Sequence, residues 1–411
     1  MISQQDDEAP VVIYNYWFEL YNLNQHLLTE HAKDRGRVYL NFNREHSQTE
    51  YGNCFWFDGS CDRTLWMIMS EFLVNKDQLI LPEFHPTFST IFFTYGEGWC
   101  SDSLFNTIHA LIDLFGITGN ITYQCCSVNI KDMYEKYCKQ NNKTSLIDEF
   151  VYRNHGFLME GNRDFYMLPT PKTKINVLPY EQKKLFTSLN WNNWDHRQAL
   201  LGLMNYHDLI EDGNITSPGA NKYSYNKEAD YDLLEYSVSN FFANDSEHDA
   251  ILKKLPEILK NYPLVLDDRS KYTNTEEAVT KSSNISQIYQ ARINGLIEII
   301  PETIYTGAHF FSEKTYWAML LEKPYIMVCG PGALKSLRKL GFKTFHPYID
   351  ESYDDEEDGV IRIKKIALEI KRLKELRINH PDEFDLMYRC MSEIAKQNRK
   401  VFHEYMVGKI K

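Results

Sequence analysis

Apolar positions along the chain change their spacing in a repeating way. Val11-Val12-Ile13-Tyr14 is a short β-branched run, and Arg37-Val38-Tyr39-Leu40-Asn41-Phe42 alternates, which predicts two strands with a helical stretch between them over 18–31. The next unit is sharper. Residues 89–95 predict a strand, Gly96-Glu97-Gly98 a tight turn, and 101–114 a helix. Ser101 or Asp102 is placed to cap that helix, Leu104, Ile108, Leu111 and Ile112 share one face, and Gly116 follows its end. A strand over 120–128 and a helix over 131–139 come next. Strands alternating with helices predict a mainly parallel sheet covered on both faces.

Residues 169–183 are rich in Pro and Lys and read as a linker. Beyond it the alternation resumes, with a strand over 184–189, a turn over 190–194 and a helix over 195–206 capped by Asp195. A further unit predicts strand 293–300, helix 312–320, buried strand 324–329, the turn Gly330-Pro331-Gly332 and helix 333–340, stopped by Gly341. Two polar stretches, 212–230 and the acidic run 350–358, read as surface loops. Ile363, Ile366, Leu368, Ile370, Leu373 and Leu376 then recur at helical spacing, and Pro381 separates this helix from another running to about 407. The predicted fold is α/β, with two Rossmann-like domains over 1–180 and 181–362, a cleft between them, and a helical tail over 363–411 packing back across both.

Composition narrows the function classes. The 411 residues are 43% hydrophobic and 14% aromatic, which excludes wholesale disorder and supplies ample core material. Lys and Arg total 45 against 57 Asp and Glu, a net charge of −12 that disfavours broad, sequence-independent nucleic-acid binding. The acidic start and the lack of a long apolar run predict a cytoplasmic protein, in the host cytoplasm if the chain is viral, with no membrane partner. The eight cysteines are scattered without a C-x-x-C pair and read as free thiols. The chain has no Walker loop, no Gly-x-Ser-x-Gly and no His-Glu-x-x-His. The nearest thing to a metal-holding Asp-x-Asp, Leu266-Asp267-Asp268-Arg269, has the wrong spacing, so no metal is predicted.

The segment Phe311-Ser312-Glu313-Lys314-Thr315-Tyr316-Trp317 carries the most chemistry, because it opens a helix after a strand and a loop. Unpaired N–H groups at a helix start favour phosphate, Lys314 adds a full charge there, and Glu313 can accept hydrogen bonds from both hydroxyls of a ribose. The plainer reading is a helix start in which Ser312 caps, Glu313 complements the dipole and Lys314 is solvated.

The run from Phe311 to Phe345 resembles the donor-binding segment of fucosyltransferase-like enzymes with the GT-B fold, which carry a similar Glu-Lys followed by an aromatic residue at a helix start. It is also similar to a group of uncharacterised glycosyltransferase-like proteins of tailed phages and bacteria. In those, Thr/Ser-Glu-Lys-Thr is followed by Gly-Phe-Lys-Thr-Phe and Asp-Glu-Ser-Tyr, as in Asp350-Glu351-Ser352-Tyr353 here. Phe186-Thr187-Ser188-Leu189-Asn190 followed by Asp195-His196-Arg197 resembles the same group's strand, Asn and His-Arg helix start.

The resemblance, over roughly 185–360, implies a metal-independent hexosyl- or pentosyltransferase that moves a sugar from a UDP- or GDP-sugar to an acceptor hydroxyl with inversion. The donor is then the sole cosubstrate. Glu313 would bind the ribose, Lys314 and Arg197 the pyrophosphate, with Asn190, Glu302, Ser312 and Tyr316 beside them. Inversion needs a base for the acceptor hydroxyl. Glu97 is the candidate and Asp102 the reserve, with His109 and His155 weaker. Candidate acceptors are a hydroxymethylated base of phage DNA, a glycan or a small metabolite. Trp99, Phe105, Trp191 and Trp194 read either as sugar- or base-stacking faces or as core. Lys172, Lys174, Lys183 and Lys184 read as a strip for a polyanion or as a solvated linker. The alternative function is a non-catalytic nucleotide-sugar- or carbohydrate-binding protein of the same fold. A third reading makes the helical tail an assembly surface.

Overall fold

The computed structural model describes residues 12–15, 38–41, 54–59, 90–95, 102–115, 120–152, 176–190, 194–217, 231–260, 264 and 282–406. Glu97, Trp99, His155, Lys172, Lys174, Trp191 and the Asp267-Asp268 pair lie outside them. The chain forms two compact units, one of Met1–Leu158 with Gly307–Phe311, the other of Met159–Thr306 with Ser312–Lys411. The linker predicted over 169–183 therefore falls inside the second unit, and so do the helices expected to form a tail across both. Among the described residues no helix is long and apolar enough to cross a membrane.

The first unit holds β1 (Val12–Asn15), β2 (Val38–Asn41), β3 (Cys54–Gly59), β4 (Thr90–Tyr95), α1 (Asp102–Phe115), β5 (Asn120–Cys125), α2 (Ile130–Gln140) and β6 (Glu149–Tyr152). Its six strands pair in parallel in sequential order. Right-handed crossovers in that order lay successive connections on one face. The described helices follow this rule: Phe105 of α1 packs 5.2 Å from both Tyr134 and Tyr137 of α2. A doubly wound sheet would instead reverse direction and carry helices on both faces, so the Rossmann-like order expected here differs from the one found. Alternation of strand and helix predicts parallel pairing but leaves strand order open. Phe105 and His109 are interior, with His109 Nε2 hydrogen-bonded at 2.8 Å to Tyr134 Oη.

The second unit holds β7 (Lys184–Leu189), α3 (Asp195–Tyr206), β8 (Gly213–Thr216), α4 (Tyr231–Phe241), α5 (His248–Leu259), α6 (Ser282–Ile293), β9 (Gly295–Pro301), α7 (Glu313–Leu320), β10 (Tyr325–Val328), α8 (Ala333–Lys339), α9 (Gly359–Asn379) and α10 (Pro381–Met406). Its four parallel strands take the order β10-β9-β7-β8. Helix α3 packs with α4, α5 and α9, α6 and α7 pack on β9, and α10 packs on α7 and α9. β7 and β9 are buried along almost their whole length, as strands covered on both faces must be. β8 replaces part of the loop predicted over 212–230. It is an edge strand with one buried apolar side chain, Ile215, and a Cβ at Gly213 would strike the Phe186 ring at 2.3 Å. Close approach to β7, rather than hydrophobic pattern, makes it a strand.

The two last helices bury regular stripes: Ile363, Ile366, Ala367, Ile370 and Leu373 on α9, and Phe384, Met387, Met391, Ala395 and Phe402 on α10. Leu368, counted in the sequence with the first stripe, is 50% exposed.

The acidic run over 350–358 lies at the surface as expected, with Asp350, Ser352, Asp355, Glu357 and Asp358 exposed, but it also organises the chain around it. Glu351 accepts from Phe345 N–H at 2.6 Å, His346 N–H at 3.0 Å and the Thr344 hydroxyl at 2.8 Å, and pairs with Arg338 at 3.1 Å. Asp354, buried, accepts from Leu334 and Lys335 N–H at 2.9 and 3.2 Å while its carbonyl takes Gly332 N–H. The N–H groups of Gly332, Leu334 and Lys335 are thereby engaged by the chain itself, and the Gly330-Pro331-Gly332 turn is a structural joint. Tyr353 Oη receives Met327 N–H at 3.4 Å, and Asp358 caps α9 by accepting from Val360 and Ile361. Removing Glu351 leaves two backbone donors and a hydroxyl unmatched. Glu351→Ala is expected to lower stability by about 2–4 kcal/mol in urea unfolding, while Arg338→Ala, at an exposed partner, changes it by about 1 kcal/mol or less.

Candidate functional site

The strand order of the second unit fixes where its ligand-facing edge lies. From β7 the chain steps outward to β8, then returns past β7 to β9 and on to β10. Winding reverses between β7 and β9, and in open parallel sheets ligands bind beyond the carboxyl ends of the strands at such a point. The residues that follow those two ends are Asn190 and Glu302, and the helices that start there are α3 and α7.

Glu302 has no exposed surface. Its carboxylate accepts from Ser312 N–H at 3.0 Å and from the Ser312 and Thr315 hydroxyls at 2.5 Å each. Lys314 Nζ lies 3.8 Å from the same carboxylate, 2.8 Å from Ser312 Oγ and 3.4 Å from Glu313. Ser312 is the N-cap of α7, its hydroxyl oxygen accepting from Lys314 N–H. Lys314 is therefore buried and paired, where the plainer sequence reading put it in solvent. The Glu313 side chain keeps 26% exposure and is the carboxylate of this group that a ligand can reach.

Arg197 and His196 reach the same place from the first turn of α3, a helix buried from His196 to Asn205. Arg197 is 2% exposed, and burial brings its pKa down to about 10 against the opposing pull of Glu302 and Glu313. His196 Nε2 lies 2.9 Å from the Glu302 carbonyl; a carbonyl only accepts, so this nitrogen carries the proton. Burial first, then the charges of Arg197, Lys314 and Arg362, push the His196 pKa down to about 3. The ring is neutral and stacks on Tyr305 at 5.0 Å, and the Arg362 guanidinium lies over the Tyr305 ring at 4.3 Å. Arg362 also donates to the Tyr305 carbonyl at 2.8 Å, which pins the loop after Glu302 to α9.

Asn190 is buried, tied by its backbone N–H to the Thr216 hydroxyl at 2.8 Å. Its side-chain oxygen Oδ1 is also buried and meets no hydrogen-bond donor among the described residues. An O–H or N–H from a ligand would satisfy it.

The sequence-predicted residues Arg197, Glu302, Ser312, Glu313 and Lys314 thus come together, with Asn190 across the same reversal. Tyr316 does not join them. It is wholly buried and stacks on Phe402 of α10 at 5.3 Å, a core side chain rather than a donor contact, because α7 is covered on the side Tyr316 takes. Asp102 is exposed at the start of α1 in the first unit. Trp194 precedes α3 and is only partly buried. Sequence reasoning gave no role to Thr315 or Arg362. An arginine inside the apolar stripe of α9 was the available signal for the second.

No family model, curated protein or solved structure matches this chain. Among the described residues no group of three or more His, Cys, Asp or Glu side chains is arranged to hold a metal ion. At the starts of two helices, the cations Arg197 and Lys314 lie beside the carboxylates Glu302 and Glu313.

The neutral His196 has a consequence for stability. Between pH 6.5 and about 3 the unfolded chain binds a proton there that the folded chain does not, so stability falls as pH falls through that window. The loss approaches ~1.4 kcal/mol per pH unit from this residue. His109 and His207, also lowered by burial, add to it with the same sign. His196→Gln keeps an amide donor for the Glu302 carbonyl and cannot titrate. Urea unfolding at pH 7.0, 6.0 and 5.0 is expected to show a shallower decline for the variant than for wild type, and equal slopes would disprove a neutral His196.

Proposed function

We propose that this chain is a metal-independent glycosyltransferase of GT-B-like architecture. Its second unit is the Rossmann-like lobe that holds a UDP- or GDP-sugar, and its first unit, singly wound among its described strands, is the acceptor lobe. What supports the reading most is the sign and burial of two side chains. Arg197 and Lys314 stand in the first turns of α3 and α7, where the helix dipole disfavours a cation, and both are more than nine-tenths buried. A diphosphate between the two helix starts relieves that conflict and uses both charges.

In this reading Lys314 and Arg197 bind the diphosphate and stabilise the negative charge that grows on it as the sugar leaves. Lys314 exchanges part of its interaction with Glu302 for phosphate, while Ser312 and Thr315 keep Glu302 satisfied. Glu313 accepts from the ribose hydroxyls. Asn190 Oδ1 accepts from a donor hydroxyl or N–H. Glu97 remains the candidate base, with Asp102 in reserve. The acceptor is a hydroxyl of a sugar or of a hydroxymethylated base.

The engagement of Lys314 with both Glu302 and Glu313 favours a second reading, a protein that binds a nucleotide-sugar without turnover. Release of UDP or GDP from UDP- or GDP-sugars distinguishes the two. A thermal-unfolding screen with UDP, GDP, ADP and CMP tests both. A cognate nucleotide at one hundred times its Kd stabilises by about 2.7 kcal/mol. Glu313→Gln should weaken the cognate nucleoside diphosphate about tenfold relative to inorganic pyrophosphate. If none of the four nucleotides raises the melting temperature, the assignment is wrong.

A further inference from the structure

Gly307–Phe311 follows β9 in the chain yet groups with the first unit, while the residues on either side of it, Thr306 and Ser312, group with the second. The segment is tied to the turn between β5 and α2. Asn129 Nδ2 donates to the Gly307 carbonyl at 2.8 Å, and Asn129 Oδ1 accepts from His309 N–H at 2.8 Å. Ser127 Oγ donates to the same Oδ1 at 2.8 Å, which sets the orientation of the amide. Val128 N–H donates to the His309 carbonyl at 3.0 Å, and Ser127 and Phe310 form an antiparallel bridge. Gly307 has φ +76°, and a Cβ there would come within 3.4 Å of Met133 Cε, so glycine alone fits without strain.

The base of this loop is the candidate site itself. Glu302 stands five residues before Gly307 and Ser312 one residue after Phe311, and the two are joined by the 3.0 and 2.5 Å hydrogen bonds from Ser312. Only two residues separate His309, held by Asn129, from Ser312, a span of at most about 10 Å of extended chain. A shift of the held segment is therefore passed along a short tether to the N-cap of α7 and to Lys314.

We propose that Asn129 is a positioning residue for the anion site, holding Ser312 and Lys314 in place through Gly307–Phe311. The inference rests on the nucleotide-binding reading above, and adds that affinity for the diphosphate depends on a side chain that does not touch it. Ser127 acts one step further out, by orienting the Asn129 amide.

The experiment uses the full chain and two readouts: affinity for UDP and GDP by titration calorimetry, and amide hydrogen exchange of peptides covering 311–316, with β7 peptides as control. Asn129→Ala removes the two side-chain hydrogen bonds to the segment. It is expected to weaken the nucleotide about tenfold and to speed exchange over 311–316 while β7 keeps wild-type protection. Asn129→Asp, which still accepts from His309 and Ser127, recovers part of both, and Ser127→Ala gives a smaller change in the same direction. A purely structural role would lower the melting temperature of Asn129→Ala and leave affinity and 311–316 exchange at wild-type values. That result overturns the proposal. Should Asn129→Ala lose protection in β7 as well, Ser127→Ala decides by the same two readouts. If wild type binds neither nucleotide, the glycosyltransferase reading fails. Exchange over 311–316 then decides separately whether Asn129 holds the loop.

Discussion

A carboxylate removed from water must have its oxygens matched, or it costs several kcal/mol. Glu302 meets that demand with three donors from the start of α7, and the rest of the edge is arranged around the solution. Ser312 can cap α7 and hold Lys314 because its own proton goes to Glu302. His196 is neutral because burial and the neighbouring cations outweigh its hydrogen bond to the Glu302 carbonyl, which favours the charged ring. Arg197 stays charged in a buried place because Glu302 and Glu313 oppose its desolvation. The cations are thus held ready at the reversal of the sheet by one acid that itself cannot reach solvent.

The parts of this arrangement legible in the sequence were those with a strong local pattern. The strand Lys184–Leu189 and the helix Asp195–Tyr206 stand where their residues predict, and the start of α7 differs by one residue. The pairing of Lys314 with Glu302 was not legible, since nothing in the local pattern says that a carboxylate after one strand meets a hydroxyl ten residues later. Tyr316 misled for a related reason. An aromatic after Glu-Lys suggests a ligand face, but α7 is packed against β9 and α10, and Tyr316 belongs to the contact with α10. Helices α4 and α5 were not read at all; α5 carries an internal Pro256, which argues locally against a helix, and tertiary packing against α3 outweighs it.

The acidic run teaches a different lesson about motifs. Asp350-Glu351-Ser352-Tyr353 looks like a solvated stretch by composition, yet Glu351 organises 344–346, Asp354 closes the start of α8, and Tyr353 anchors β10. These residues fold the chain. They bear on chemistry only by fixing the lobe in which Glu302 and Lys314 sit. The sequence pair Gly-Phe-Lys-Thr-Phe and Asp-Glu-Ser-Tyr is a lock and its bolt, hydrogen-bonded to each other.

The brief excursion of Gly307–Phe311 into the first unit also limits how the molecule can be divided. A fragment beginning at residue 159 would contain the whole of the second sheet, yet its Gly307 carbonyl and His309 amide would lose the amide group that completes them. Residues 307–311 belong with the turn that holds them, so a single cut in the chain cannot separate the two units.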